Sequence, residues 1–159
     1  METVTSADGT EIAFERAGSG PPLVLAHGTG GDHTGWMPVL PSLEEHAAIY
    51  AMDRRGVGGS GDADEYDLER EVEDVVAVVE SIDDPVFLLG HSYGALISLE
   101  AALRTENLQK LILYEPWFTV GDHELVSDEV LEEMKTLLAD DENEQVLVLL
   151  LREVPNLPP

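Results

Sequence analysis

An α/β fold is predicted, a mostly parallel sheet flanked by helices, with an antiparallel hairpin at its N-terminal end. Three observations carry it. Short continuous apolar runs at 23–26, 47–52, 86–89 and 111–114 are what strands covered on both faces require. Between them lie segments of helical period or glycine-rich loops, the alternation of a parallel sheet. Residues 1–16 alternate instead, with Val4, Ile12 and Phe14 apolar around Asp8-Gly9, which reads as a β-hairpin.

The elements follow in order. After Pro21-Pro22 the 23–26 strand runs into His27-Gly28-Thr29-Gly30-Gly31. Trp36, Val39, Leu40 and Leu43 recur at helical spacing before the 47–52 strand. A glycine-rich loop at 56–61 follows. Over 67–82, Leu68, Val72, Val75, Val76 and Val79 share one helical face, with Asp67 placed to cap and the acidic residues expected outside. Asp83-Asp84-Pro85 ends that helix. The 86–89 strand, a tight turn at 90–94 and a helix over 95–103 come next, and 111–114 is the last strand before Glu115-Pro116. Beyond Trp117 the alternation stops. Residues 127–138 and 142–154 read as two helices, the first capped by Ser127 with Asp128 and Glu129 near its positive end.

Composition narrows function. The 159 residues hold 33 Asp plus Glu against 8 Lys plus Arg, a net charge of -25, yet 43% are hydrophobic, so the chain can fold rather than stay disordered. A carboxylate excess of this size repels nucleic-acid phosphate and anionic lipid, so nucleic acid and membrane are excluded as partners. No basic leader with an apolar stretch opens the chain, and no run nears the roughly 18 apolar residues of a span. The expectation is a soluble cytoplasmic protein. The absence of Cys removes disulfides, thiolate catalysis and Cys-ligated zinc. With lysine only at 110 and 135, the surface reads as adapted to high salt, where screening relieves self-repulsion.

Gly90-His91-Ser92-Tyr93-Gly94 is a G-x-S-x-G between a predicted buried strand and a predicted helix, the setting that gives this motif meaning. A serine on a sharp strand-to-helix turn is held in a strained conformation. Flanking glycines let neighbouring backbone approach, and the hydroxyl is displayed at a helix N-terminus. The Tyr93 N–H then points at an oxyanion formed there.

With His27-Gly28-Thr29-Gly30-Gly31 after one strand and Asp53-Arg54-Arg55-Gly56-Val57-Gly58-Gly59-Ser60 after the next, the sequence resembles the α/β-hydrolase family. The resemblance covers 1–116 as a partial core, with 117–159 resembling the start of the helical cap many members insert. It implies Ser92 as nucleophile and the backbone N–H groups of Thr29 and Tyr93 as the oxyanion hole. It also implies acyl chemistry on a carboxylic ester, a lactone or a similar small-molecule substrate, with no cofactor and no metal. Gly28, Trp36, Trp117 and Phe118 are the candidate pocket residues.

The base should follow Ser92, because family order is serine, acid, histidine. His27 is expected to be structural, His33 and His46 to lie on the surface or in a helix, and His91 to point away from its neighbour. His123 is the one histidine downstream and the candidate base. Glu115, after the last strand, is the candidate acid by position. In the family, acid and histidine usually follow two further strands that are missing here. The resemblance therefore implies a chain truncated within the cap, with its triad partners absent. The 111–114 strand is then an exposed edge, open to self-association or to a complementary C-terminal half. The alternative is a non-catalytic remnant or ligand-binding module of the same fold.

Two other motifs are set aside. Gly56, Gly58 and Gly61 match G-x-G-x-x-G, but three residues separate them from the strand and the helix starts only near 67. Asp62-Ala63-Asp64 imitates a calcium loop but has Asp67 where glycine is needed.

Overall fold

In a computed structural model of the chain, the described residues are 1–64, 66–116 and 126–153. They divide between two compact units, Met1–Trp117 and Phe118–Pro159.

The first unit holds strands β1 (Glu2–Thr5), β2 (Glu11–Gly18), β3 (Pro22–Ala26), β4 (Ala48–Met52), β5 (Val86–His91) and β6 (Leu108–Tyr114) in one sheet of order β1-β2-β4-β3-β5-β6. The hairpin β1–β2 and the β2–β4 pair are antiparallel, and β3 is parallel to both β4 and β5, as is β6 to β5. Val4 faces Ile12 across the hairpin, whose turn needs Gly9 at φ 92. Every residue of β3 is buried, as its apolar run requires.

Helix α2 (Leu68–Glu80) starts where expected, with the Asp67 side chain accepting from the Glu69 N–H. It packs with α3 (Tyr93–Ala102) on one sheet face, where Val72, Val75, Val78, Val79 and Ile97 meet Val24, Met52 and Leu88. The expected face is corrected in two ways. Leu68 is exposed while Val78 is buried, and the acidic residues are not all outside, because Glu71 and Asp74 are buried among the valines. Arginines from the loop after β4 neutralise them.

On the other face Leu23, Leu25, Ile49 and Ala51 are covered by Trp36, Leu40 and Leu43. The single helical pattern expected over 36–43 is a 3-10 turn (His33–Trp36) followed by a short helix α1 (Leu40–Glu44). Pro38 and Pro41 lack the N–H groups that a continuous helix would need.

In the described sheet β6 pairs on its β5 side, and its Ile112 and Tyr114 are exposed. The second unit contains α4 (Asp128–Ala139), with Ser127 accepting from the Val130 N–H, and α5 (Asn143–Glu153). Met134 and Leu149 are its buried apolar residues, and Val148 and Leu151 are exposed. Among the described residues, no helix is long and apolar enough to cross a membrane.

Candidate active site

Ser92 sits at the junction of β5 and α3 with φ 53 and ψ -118, a conformation that costs a non-glycine residue about 1 to 3 kcal/mol. The surroundings hold it there. Its N–H donates to the Tyr114 carbonyl at 2.9 Å, and its carbonyl accepts from Ala95 N at 3.0 Å. A side chain at Gly90 would lie 2.4 Å from the Gly94 carbonyl oxygen. One at Gly94 would lie 2.3 Å from that of Ala26, so the elbow can form only with glycine on both sides.

A serine before a helix ordinarily spends its hydroxyl capping the first turn. Ser92 makes no such side-chain bond, because its backbone is not in the extended conformation that capping needs. Its hydroxyl is thereby left at the mouth of α3, beside the loop after β3. There a Cβ on Gly28 would stand 3.1 Å from Ser92 Cβ. Gly28 is buried and Thr29 is exposed.

That loop is tied at both ends to the start of the loop after β4. His27 Nδ1 donates to the Gly28 carbonyl at 2.8 Å, and its Nε2 accepts from the Arg54 N–H at 3.1 Å. Burial is the largest cause holding this imidazole below its usual pKa, which keeps it neutral and fits one donor and one acceptor nitrogen. At the far end the His33 N–H and Nδ1 both meet Asp53 Oδ1 at 2.8 Å. His33, expected on the surface or in a helix, opens the 3-10 turn half-buried, and the buried Asp53 carboxylate pairs with it. Asp53 Oδ2 accepts from Gly59 N at 2.8 Å, and Ser60 Oγ donates to the Asp53 carbonyl at 2.6 Å.

Two buried ion pairs anchor this loop to α2. Arg54 donates through Nε and Nη2 to Glu71, each at 2.5 Å, and Arg55 through Nε and Nη2 to Asp74, each at 2.7 Å. Sequence reasoning missed both. The available signal was that Glu71 and Asp74 stand four residues before Val75 and Val78, inside the apolar stripe rather than opposite it.

His91 stacks on Tyr114, with 5.2 Å between centroids, and meets Trp36 edge-on at 6.3 Å. Its Nε2 is 3.9 Å from Glu115 Oε2. Thus Trp36 and Glu115 are both brought to the residue preceding Ser92, while His123, Trp117 and Phe118 lie outside the described residues. A cavity of about 380 Å³ lies elsewhere, lined by His33, Met37, Leu40 and Ala51 among others but not by Ser92. Among the described residues, no group of three His, Cys, Asp or Glu side chains is disposed to hold a metal ion.

The strand order, the elbow and its two supporting loops agree with a sequence profile of the alpha/beta hydrolase family that matches residues 23–156. The chain belongs to the alpha/beta hydrolase family. A solved alpha/beta hydrolase from Sphaerobacter thermophilus is similar over 99% of this chain and 62% of its own, at 37% identity with a TM-score of 0.89. The pimeloyl-(acyl-carrier protein) methyl ester esterase of Aeromonas hydrophila is 33% identical over 136 residues, 82% of this chain and 52% of that protein. The putative carbamate hydrolase RutD of Agrobacterium fabrum is 32% identical over 107 residues, 65% of this chain and 41% of that protein. The present alpha/beta hydrolase chain thus spans about half the length of the curated relatives it matches.

Proposed function

We propose that Ser92 is the nucleophile of a hydrolase acting on a carboxylic ester, lactone or similar acyl substrate. One observation carries the reading: a serine at positive φ before a helix, its hydroxyl not used for capping and its Cβ beside Gly28. Family membership supports it, as do relatives named as a methyl ester esterase and a carbamate hydrolase, both of which act at a carbonyl carbon.

In this reading Ser92 Oγ attacks the carbonyl carbon while a base takes its proton. The N–H groups of Thr29 and Tyr93 hold the oxyanion, and the leaving group departs with that proton. Water then releases the acyl group by the same steps. Each oxyanion donor supplies about 2.7 to 4 kcal/mol. Gly28 and Trp36 line the acyl side. His123, the candidate base, lies outside the described residues. Glu115, with Oε2 3.9 Å from His91 Nε2, is the candidate acid by position. The substrate is small and not strongly anionic, since a net charge of -25 opposes strongly anionic ligands.

A second reading, a non-catalytic module that keeps the fold, is favoured by one observation: among the described residues, no histidine is hydrogen-bonded to Ser92. A fluorophosphonate probe separates the two. Covalent labelling of Ser92 in folded protein, lost in Ser92→Ala, supports the hydrolase. If Ser92 stays unlabelled while a longer relative is labelled under the same conditions, the non-catalytic reading holds.

A further inference from the structure

Arg54 contacts both residues that lead to the proposed oxyanion donors, His27 and Tyr93. The Arg54 N–H donates to His27 Nε2 at 3.1 Å, and the same ring holds the Gly28 carbonyl at 2.8 Å, immediately before the Thr29 N–H. The Arg54 guanidinium lies 4.5 Å over the Tyr93 ring, and Tyr93 carries the second donor on its backbone. Glu71, itself 1% exposed, fixes that guanidinium through two parallel bonds, which leaves it a single orientation.

The remaining hydroxyls close the arrangement. Tyr66 OH lies 2.8 Å from Glu71 Oε1 and 2.6 Å from Tyr93 OH. A carboxylate only accepts, so Tyr66 donates to Glu71 and Tyr93 donates to Tyr66. The Tyr93 ring is thus held at its face by Arg54 and at its tip by Tyr66, with both holders leading back to Glu71.

We propose that Arg54 is the positioning residue of the oxyanion site, setting the Thr29 loop through its backbone and the Tyr93 turn through its guanidinium. This rests on the reading of Thr29 and Tyr93 as oxyanion donors. A shift of about 1 Å in such a site costs on the order of 100-fold in rate, so a clamp acting on both donors has a large effect without touching the reaction.

The test uses Arg54→Met, which strands the Glu71 charge, and the double variant Arg54→Met/Glu71→Met, which removes the pair without leaving a buried charge. Heteronuclear nitrogen relaxation of the amides at 28–31 and 92–94 reports loop order, and hydrogen exchange at Val24 and Leu88 reports global stability. Ser92 labelling by a fluorophosphonate reports reactivity. The double variant is expected to gain fast motion at 92–94, where the guanidinium acts, to leave 28–31, held by a backbone N–H that the substitution keeps, little changed, to hold exchange at Val24 and Leu88 within about twofold, and to label about 10- to 100-fold more slowly. Arg54→Lys, which keeps the charge but not the fork, recovers part of the labelling rate. Unchanged relaxation at 92–94 in both variants overturns the proposal. So does exchange at Val24 and Leu88 accelerating in the double variant as much as that turn loosens, since Arg54 would then serve only the fold. Should wild-type protein not label at all, the hydrolase reading fails and the relaxation outcome still decides the role of Arg54.

Discussion

Arg55 and Asp74 form a bidentate ion pair with both contacts at 2.7 Å, and each side chain is only 1% exposed. Asp8 adds a third contact to the same guanidinium at 3.0 Å, so the β1–β2 turn, the loop after β4 and α2 meet on one cation. The hydrogen bonds that Asp74 accepts from the guanidinium are the largest cause raising the Arg55 pKa, so it stays charged throughout. Without Asp74 the buried guanidinium keeps Asp8 as its carboxylate partner but loses its bidentate one, which is costly. Asp74→Ala should therefore destabilise the chain by about 3 to 5 kcal/mol, whereas Arg55→Met/Asp74→Leu should lie close to wild type. Urea unfolding midpoints check this, and a double variant as unstable as the single one would mean that the pair contributes more than mutual neutralisation.

His27 sets a pH limit. Its folded-state pKa lies below the ordinary 6.5, burial being the largest cause, so the unfolded chain takes up the proton first. The sign follows directly. Stability is at its full value above about pH 6.5 and falls as pH drops from there toward the folded-state pKa. Asp8, Asp32 and Glu11, held below their ordinary values chiefly by hydrogen bonds, act only at lower pH, beneath the ordinary carboxylate range. Unfolding midpoints measured at about pH 7.5 and about pH 5 should converge in His27→Gln and differ in wild type. Equal slopes in the two proteins would remove His27 as the cause.

Gly94 and Gly35 should respond oppositely to the same added methyl. At Gly94 a Cβ meets the Ala26 and His27 carbonyl oxygens at 2.3 and 2.5 Å, while at Gly35 nothing lies within 4 Å. Backbone cannot rotate away as a side chain can. Gly94→Ala should cost about 1 to 3 kcal/mol or more and slow any Ser92 labelling, and Gly35→Ala should stay within about 0.5 kcal/mol. Thermal melts of the two variants suffice, and similar midpoints would mean that α3 can move off β3.

How far the molecule was legible in its sequence follows from which interactions are local. Strands β3, β4 and β5 are apolar runs and needed no partner to be seen, and the elbow is a five-residue pattern whose strain is written in its own glycines. Glu71 was misplaced because helical periodicity treats an acid as outward-facing. Its burial depends on Arg54, 17 residues earlier, across a loop whose path the sequence does not specify. The pairing of His33 with Asp53, 20 residues later, is hidden for the same reason. Pro38 and Pro41 interrupt the 36–43 pattern, where four apolar residues recur at helical spacing. Non-local charge pairing is therefore what the sequence concealed, and it is concentrated beneath the candidate site.

The net charge of -25 should make stability rise with salt, and the structure indicates which charges respond. The pairs at Arg54–Glu71 and Arg55–Asp74 are buried and little screened, so salt neither strengthens nor weakens them much. The remaining carboxylates are mostly on the surface, where Lys110 and Lys135 are the only lysines to offset them. Repulsion among them acts over a screening length of about 30 Å at 0.01 M salt and about 10 Å at 0.1 M. Melting midpoints should therefore climb most steeply below about 0.1 M sodium chloride, a range in which salt effects on apolar hydration are small. Neutralising the exposed run Asp140, Asp141 and Glu142 to amides should flatten the climb. A flat or falling midpoint over that range in wild type would mean that surface ion pairs such as Arg70–Glu73 outweigh the repulsion, and that the acidic surface is no adaptation to salt.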